Sequence, residues 1–356
     1  MLWALIMAGG WGTRLWPLSN RALPKPLLKL IPGRGTLLTE TLKRLSPLIP
    51  SSRILIIGNE EHLSALKKSA PRIPQNQIIG EPAARNTAAT VALGASLILK
   101  RDPQALILIS PADHWFGGKR SFQKAVKQAA QYSDRHEQFS IFGIKPKFPS
   151  SSYGYMLMGR KRASSVYDLK KFIEKPRPQR ARQFVRSGKY LWHAGVFLAS
   201  GANILASVAR YAPQLAHGLS KVKIKNGKFL NPKAFRALPN VSFDYAVLEK
   251  MKNAILIRCN FDWCDVGTWS AMEQVWPRDH SGNSVFAKCV SLDSAGNIVY
   301  SKDKLVCLQG IQDLVVIDTP GALFVGRKDA GESMREVVKR ITPHLSPPPQ
   351  GGRKSS

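Results

Sequence analysis

Leu2-Trp3-Ala4-Leu5-Ile6-Met7, followed at once by Ala8-Gly9-Gly10-Trp11-Gly12-Thr13-Arg14-Leu15, is the stretch on which the fold turns. An unbroken apolar run closed by glycines reads as a strand buried on both faces, the kind found at the centre of a parallel sheet. Glycines after such a strand let backbone N–H groups come close to an anion, and Arg14 supplies a cation beside them. Working outward, Thr36–Leu48 has helical spacing at Leu37, Leu38, Thr41, Leu42 and Leu45, and Arg53–Ile57 is a second short apolar strand. The alternation continues with a helix over His62–Ser69, a strand over Gln77–Ile79, a helix over Thr87–Lys100 and a strand over Ala105–Ile109. A helix over Ser121–Ser133 and a strand over Phe139–Ile144 complete the series. Such alternation predicts an α/β, Rossmann-like domain with a mixed, mostly parallel sheet covered on both faces.

From Ser150 the pattern loosens. Short strands are expected around Tyr153–Met158, Leu169–Glu174 and Val196–Ala199, with helices near Pro178–Ser187 and Ile204–Tyr211, which reads as an insertion building a substrate lobe. After Trp276 come β-branched runs at Asn297–Tyr300, Leu305–Gln309, Leu314–Asp318 and Ala322–Val325. These predict a small β module. A helix over Gly331–Ile341 precedes a Pro-, Gly- and Ser-rich tail that lacks the apolar residues to pack. The expected division is a catalytic domain over 1–275, a β module with its terminal helix over 276–341, and a disordered tail over 342–356.

The chain has 356 residues, 44% of them apolar, enough for a sizeable core without disulfides or structural metal. No apolar run approaches the roughly 18 residues needed to span a bilayer. The opening run lacks a basic leader, so neither a signal peptide nor an anchor is expected. Cys259, Cys264, Cys289 and Cys307 show no C-x-x-C spacing and read as reduced thiols of a cytoplasmic protein. The 53 Lys and Arg against 23 Asp and Glu give a net charge of +30. The cations are spread through periodic segments, 18 of them between Lys119 and Lys189 against 4 acids, with no single basic run and no interleaved aromatic stacking pattern. A generally basic surface is therefore favoured over a nucleic-acid groove. A dinucleotide fingerprint would need glycine where Leu15 stands, and no Gly-Lys pair is followed by Ser or Thr, so neither a Rossmann dehydrogenase nor a Walker A loop is indicated. Taken alone, the glycine turn is as compatible with a tight connection as with a phosphate site.

The longer string Met7-Ala8-Gly9-Gly10-Trp11-Gly12-Thr13-Arg14-Leu15-Trp16-Pro17-Leu18-Ser19, with Pro24-Lys25-Pro26 after it, resembles the signature of the sugar-nucleotide pyrophosphorylases. Three further segments resemble the mannose-1-phosphate guanylyltransferases among them. These are Glu81-Pro82-Ala83-Ala84-Arg85-Asn86-Thr87-Ala88, Phe172-Ile173-Glu174-Lys175-Pro176, and Ser242-Phe243-Asp244-Tyr245-Ala246-Val247-Leu248-Glu249-Lys250. The resemblance covers about Leu2 to Ile341. It implies a partial left-handed β-helix for the β module and leaves a homodimer open. It assigns the nucleotide to Ala8, Gly9, Gly10, Gly12, Thr13, Glu81, Arg85, Asn86 and Thr87, and the sugar phosphate to Gly154, Glu174, Lys175, His193 and Asp244. Arg14, Lys25 and Lys175 become the catalytic cations. The implied substrates are GTP and mannose 1-phosphate, with no membrane or nucleic acid involved.

Asp113, in Ser110-Pro111-Ala112-Asp113-His114, follows a predicted strand at the edge where open α/β sheets bind ligands. With Asp265, in Trp263-Cys264-Asp265-Val266-Gly267, it offers the one or two carboxylates by which Mg2+ is usually held. From context alone a helix cap and a turn residue are equally good readings; the resemblance favours metal ligands, with His114 beside them as a supporting residue. The chain departs from the family at three places. Trp192-His193-Ala194-Gly195 stands for Trp-Asn-Ser-Gly, Ala89 for Pro, and Pro26 for Gln. The alternatives are a pyrophosphorylase for another base or hexose, and a non-catalytic regulatory or nucleic-acid-binding relative. No cupin-type isomerase domain is expected after the β module.

Overall fold

The structure is a computed structural model and describes residues 1–345. Its strands are β1 (Leu2–Ala8), β2 (Ile54–Asn59), β3 (Ile78–Glu81), β4 (Leu106–Pro111), β5 (Trp115–Phe116), β6 (Phe139–Ile144), β7 (Tyr155–Ala163), β8 (Val166–Ile173), β9 (Tyr190–Ser200), β10 (Ile224–Lys225), β11 (Lys228–Phe229), β12 (Ala254–Cys259), β13 (Trp263–Cys264), β14 (Ser284–Leu292), β15 (Ile298–Gln309), β16 (Leu314–Thr319) and β17 (Ala322–Arg327). The helices are α1 (Leu37–Leu45), α2 (Leu63–Ser69), α3 (Asn86–Leu99), α4 (Lys119–His136), α5 (Pro178–Ser187), α6 (Gly201–Tyr211), α7 (Pro213–Ser220), α8 (Pro232–Arg236) and α9 (Met334–Leu345). The chain divides into two compact units: Met1–Gly10 with Gly35–Asp265, and Trp11–Arg34 with the described residues from Val266 on. The boundary expected at 275 falls inside the second of these.

The first unit is built on a nine-stranded sheet of order β3-β2-β1-β4-β9-β6-β12-β8-β7. β1 lies between β2 and β4 and is parallel to both, as its apolar, two-sided sequence requires. Following the pairings across the sheet, seven strands run one way and only β8 and β9 run the other. β7 pairs with β9 as well as β8, so β9, β6, β12, β8 and β7 close into a ring while β3, β2, β1 and β4 stay open. α3 contributes Ala88, Ala89, Val91, Ala92, Leu93, Ala95 and Ile98 to the core that includes Leu5, Leu55 and Ile107. Its small residues let the helix approach the strands closely, and burying this much apolar surface is the main stabilising contribution. α1 begins where its spacing predicted, with the Thr36 hydroxyl accepting from Thr39 N at 3.2 Å as a helix cap.

Two expectations about organisation change. The segment after Ser150 is no separate insertion, because β7, β8 and β9 belong to the same sheet as β1. β9 spans eleven residues, seven more than Val196–Ala199, because its start, Tyr190–His193, pairs with β6 and β7. In the second unit the two runs expected at Asn297–Tyr300 and Leu305–Gln309 form one strand, β15. Lys302, Asp303 and Lys304 break the apolar pattern, but there the strand bends and the register against β14 jumps from Phe286↔Tyr300 to Lys288↔Leu305. β14, β15 and β16 are parallel and β17 returns antiparallel. Asn283 and Asn297, both fully buried, tie these turns: Asn297 Nδ2 donates to Asn283 Oδ1 at 2.9 Å and to Ile311 O at 3.1 Å. α9 runs on to Leu345, and the tail expected to be disordered lies, beyond that residue, outside the described residues.

Candidate active site

In the first unit the assigned residues gather where strands end. Ala8 closes β1, buried, and Gly9 and Gly10 follow it. A Cβ on Gly9 would lie 3.9 Å from Glu81 Oε2, and one on Gly10 would lie 3.3 Å from Asp113 Oδ2, so both carboxylates border the turn. Glu81 is the last residue of β3 and 5% exposed, with Thr90 Oγ1 donating to its Oε1 at 2.6 Å. Burial pushes its carboxyl up to about 7, against the opposing pull of that hydrogen bond.

Glu81 leads into α3, whose start is held by protein groups. Asn86, at φ 60°, turns its Oδ1 back to Thr87 N at 2.9 Å, and Ala88 N donates to Val241 O. Two of the helix's opening N–H groups are thereby satisfied, so this terminus differs from an anion-binding helix start. Thr87 Oγ1 accepts from Phe243 N at 2.8 Å, and Arg85 donates to Arg236 O. The segment carrying Arg85, Asn86 and Thr87 is thus fastened to the strip carrying Asp244.

The reversed direction of β9 brings His193 to this edge. His193 pairs with Gly143 near the carboxyl end of β6, and its N donates to Gly154 O at 2.8 Å. His193 Nε2 lies 3.3 Å from Asp244 Oδ1. Burial works against the Asp244 anion, but the hydrogen bond and field of His193 hold its carboxyl below the usual range. Asp244 opens a wide π-type turn, Asp244–Leu248, a form frequent at functional sites. Glu174 follows β8, with Lys175 Nζ at 3.0 Å from its Oε1. Burial first, and then the negative charge of Asp244, push Glu174 up, while Lys175 and His193 pull it down. A Cβ on Gly154 would stand 2.6 Å from Glu174 Oε2 and 3.0 Å from the Phe172 ring, so a larger residue there would displace the Glu174 carboxyl. Lys175 itself adopts φ 45°, a left-handed conformation that turns the chain sharply after Glu174.

Asp113 and Asp265 are brought together by the short antiparallel pair β5–β13, in which Trp115 faces Cys264 and Phe116 faces Trp263. Asp265 Oδ1 accepts from the Tyr153 hydroxyl at 2.9 Å. His114 Nδ1 accepts from Trp263 Nε1 at 3.3 Å, and its Nε2 lies 3.9 Å from Asp113 Oδ1. Glu249, within the Ser242–Lys250 strip, accepts at Oε1 from Glu174 N at 3.3 Å, whereas Tyr153 and Thr90 were not singled out by sequence reasoning. Tyr153 stands beside Gly154 and Thr90 one helical turn after Asn86, but neither spacing alone names a partner.

In the second unit, Gly12 adopts φ 71°, and a Cβ on it would lie 2.6 Å from Lys25 Cβ. Glycine is required at that approach. Thr13, Arg14 and Leu15 form one short 3-10 turn, with Thr13 exposed, Arg14 half-buried and Leu15 in the core. Lys25 is 6% exposed in a second short turn. Trp269 Nε1 donates to Trp16 O at 2.9 Å and Trp276 Nε1 to Leu30 O at 2.6 Å, fixing the loop.

The chain matches the nucleotidyl transferase family over residues 3–282 and the mannose-P isomerase/GMP-like β-helix domain over residues 287–341. It is 33% identical over 351 residues to a mannose-1-phosphate guanylyltransferase of Escherichia coli, covering 95% of this chain and 75% of that protein. A protein of the same description from Klebsiella pneumoniae is 34% identical over 349 residues, covering 95% and 74%. Among solved structures, one described as a mannose-1-phosphate geranyltransferase from Thermus thermophilus superposes with a TM-score of 0.87 at 32% identity, covering 96% of this chain and 99% of that one.

Proposed function

The chain belongs to the nucleotidyl transferase family, and from that premise we propose that it transfers GMP from GTP to mannose 1-phosphate, giving GDP-mannose and pyrophosphate. The observation that carries the acceptor side is the Glu174–Lys175 pair beside His193–Asp244. An ammonium suits the phosphate, and buried carboxylates suit the hydroxyls of a sugar. The nucleotide and the hexose are read from the guanylyltransferases it resembles at 33–34% identity.

The acceptor needs no strong general base. Its phosphate has a second pKa of about 6 and is mostly dianionic near neutrality. One of its oxygens attacks the α-phosphorus of GTP in line, forming the new O–P bond as the bond to the β-phosphate oxygen breaks. Lys175 aligns the incoming phosphate, and Arg14 and Lys25, by their place in the family motif, are assigned to the departing pyrophosphate. Catalysis then consists of positioning and charge stabilisation.

Asp113 and Asp265 fit Mg2+ in donor chemistry, because both offer hard carboxylate oxygens and the β5–β13 pair runs their segments side by side. Among the described residues no group of three or more His, Cys, Asp or Glu is arranged to hold a metal ion, which leaves the other positions to phosphate oxygens and water. Such an ion would neutralise charge on the phosphates. No helix among the described residues is long and apolar enough to cross a membrane.

The test is pyrophosphate release with mannose 1-phosphate and Mg2+ against GTP, ATP, UTP and dTTP, then with glucose 1-phosphate. Release with GTP and mannose 1-phosphate alone is the expected result. Release with another pair would overturn the substrates and keep the reaction, and silence with every pair would overturn both.

A further inference from the structure

What a histidine can do depends on where its two ring nitrogens point. At His193 neither is open to a substrate. Nε2 lies 3.3 Å from Asp244 Oδ1, and Nδ1 is sealed from solvent with no hydrogen-bond partner. The backbone is fixed by the bond from His193 N to Gly154 O, and the imidazole packs edge-on to Phe172 with centroids 5.4 Å apart. Only 6% of the side chain is exposed, against 22% for Asp244.

We infer that His193 is a positioning residue whose Nε2–H holds the Asp244 carboxylate in place for the sugar phosphate, the imidazole itself touching no substrate. The inference rests on the reading that Glu174, Lys175 and Asp244 receive that ligand. It changes what the sequence departure means. A family asparagine at this position carries an N–H that could meet the same carboxylate oxygen, so the exchange preserves a donor and leaves the choice of hexose to Asp244 and Glu174. The surrounding charges fit the assignment. Asp244 faces His193, with Glu174 and Lys175 in the same cluster and Glu249 bonded to the Glu174 backbone. Burial and the nearby Glu174 carboxyl act against the Asp244 anion, and His193 supplies the side-chain hydrogen bond that favours it.

The test has a kinetic arm and a spectroscopic arm. His193→Ala is expected to raise KM for the sugar phosphate about tenfold, the size of one hydrogen bond to a charged group, with kcat and KM for the nucleotide within about threefold. His193→Asn is expected to recover most of that loss, and hexose preference to stay as in the wild type. In an Asp244→Ala background the His193→Ala change is expected to add nothing. A changed hexose preference, failed rescue by a folded His193→Asn, or additive effects would each overturn the proposal. In the ligand-free protein, 15N–1H NMR is expected to find the His193 proton on Nε2 and exchanging slowly, and faster exchange in Asp244→Ala. A bare Nε2 would overturn the proposal. This second arm needs no turnover, so failure of the substrate reading and failure of the pairing are seen separately.

Discussion

Glu81 and Glu174 stand at strand ends in opposite halves of one sheet, the first in the open half and the second at the closed ring, and burial pushes both toward the neutral form. Their surroundings differ. Glu81 meets one hydroxyl, Thr90, and the glycine turn after β1. Glu174 meets charge: the Lys175 ammonium at 3.0 Å, with the His193–Asp244 pair beside it. Burial therefore has two outcomes. Where partners are neutral, an acid poised near neutrality results; where they are charged, burial is offset by a cluster of opposed charges. A nucleotide base needs shape and neutral hydrogen bonds, whereas a sugar phosphate needs a cation, and the function proposed above would divide the two ligands between the two halves along that line.

The contrast is broken most directly at Lys175. Lys175→Ala is expected to lower kcat/KM for the sugar phosphate by about 10²-fold or more, since a charge-assisted contact and its transition-state share are lost together. KM for the nucleotide is expected to stay within about threefold. Steady-state kinetics with each substrate varied in turn checks this, and equal losses for both would mean that the charged cluster serves no one ligand.

The open half is tested by Glu81→Gln, which keeps an acceptor for Thr90 and removes the titration. The folded carboxyl lies at about 7 and the ordinary one at 4.5. Below pH 4.5 both states hold the proton, so wild type and variant should be alike. Between 4.5 and 7 the unfolded chain releases its proton first, and wild-type stability falls as pH rises. Above pH 7 the folded protein carries the buried anion, and the difference reaches about 3 kcal/mol in favour of the variant. Urea unfolding of the two proteins at pH 4 and pH 8 measures it, and a pH-independent difference would remove the neutral-acid description of this half.

Most of the open half was legible in the sequence and much of the ring was not. Leu2–Met7, Arg53–Ile57 and Thr87–Lys100 carry unbroken or periodic apolar patterns, and local pattern suffices for a strand and helix that pack on their chain neighbours. β9 enters the sheet between β4 and β6 in the reverse direction, and its first residues, Tyr190–His193, earn their strand from distant partners, Gly143 and Ile144 on β6 and Tyr155–Leu157 on β7. The resemblance of motifs names both His193 and Asp244, yet nothing in the order of residues joins them; a reversed strand and a π-type turn do. The same holds for Tyr153 and Asp265, 112 positions apart.

Polar links join the two halves, and Thr87 makes one of them. Its Oγ1 accepts from Phe243 N, the residue before Asp244, from a place at the start of α3. Thr87→Val keeps the shape and leaves that N–H without its acceptor, at a cost of about 1–2 kcal/mol. If the link positions Asp244, KM for the sugar phosphate should rise several-fold along with the drop in unfolding free energy. A loss of stability with both KM values unchanged would show that the halves fold together but bind apart.

The smallest expected effect is the sharpest test of why Glu81 differs from Glu174. Thr90 Oγ1 is the group that pulls the Glu81 carboxyl down against burial. Thr90→Val removes it with little change in volume, and α3 keeps its packing because Thr90 is buried among alanines and Val91. With its one opposing partner gone, Glu81 should titrate higher, so the fall in stability that wild type completes by about pH 7 should extend to higher pH. A net hydrogen bond contributes about 1 kcal/mol, which limits the displacement to somewhat under one pH unit. No comparable displacement is expected from neutral substitutions around Glu174, where Lys175, His193 and Asp244 set the balance by charge. A midpoint that stays fixed in Thr90→Val would mean that burial alone sets the acidity of Glu81, and the hydroxyl would then be no more than a packing contact.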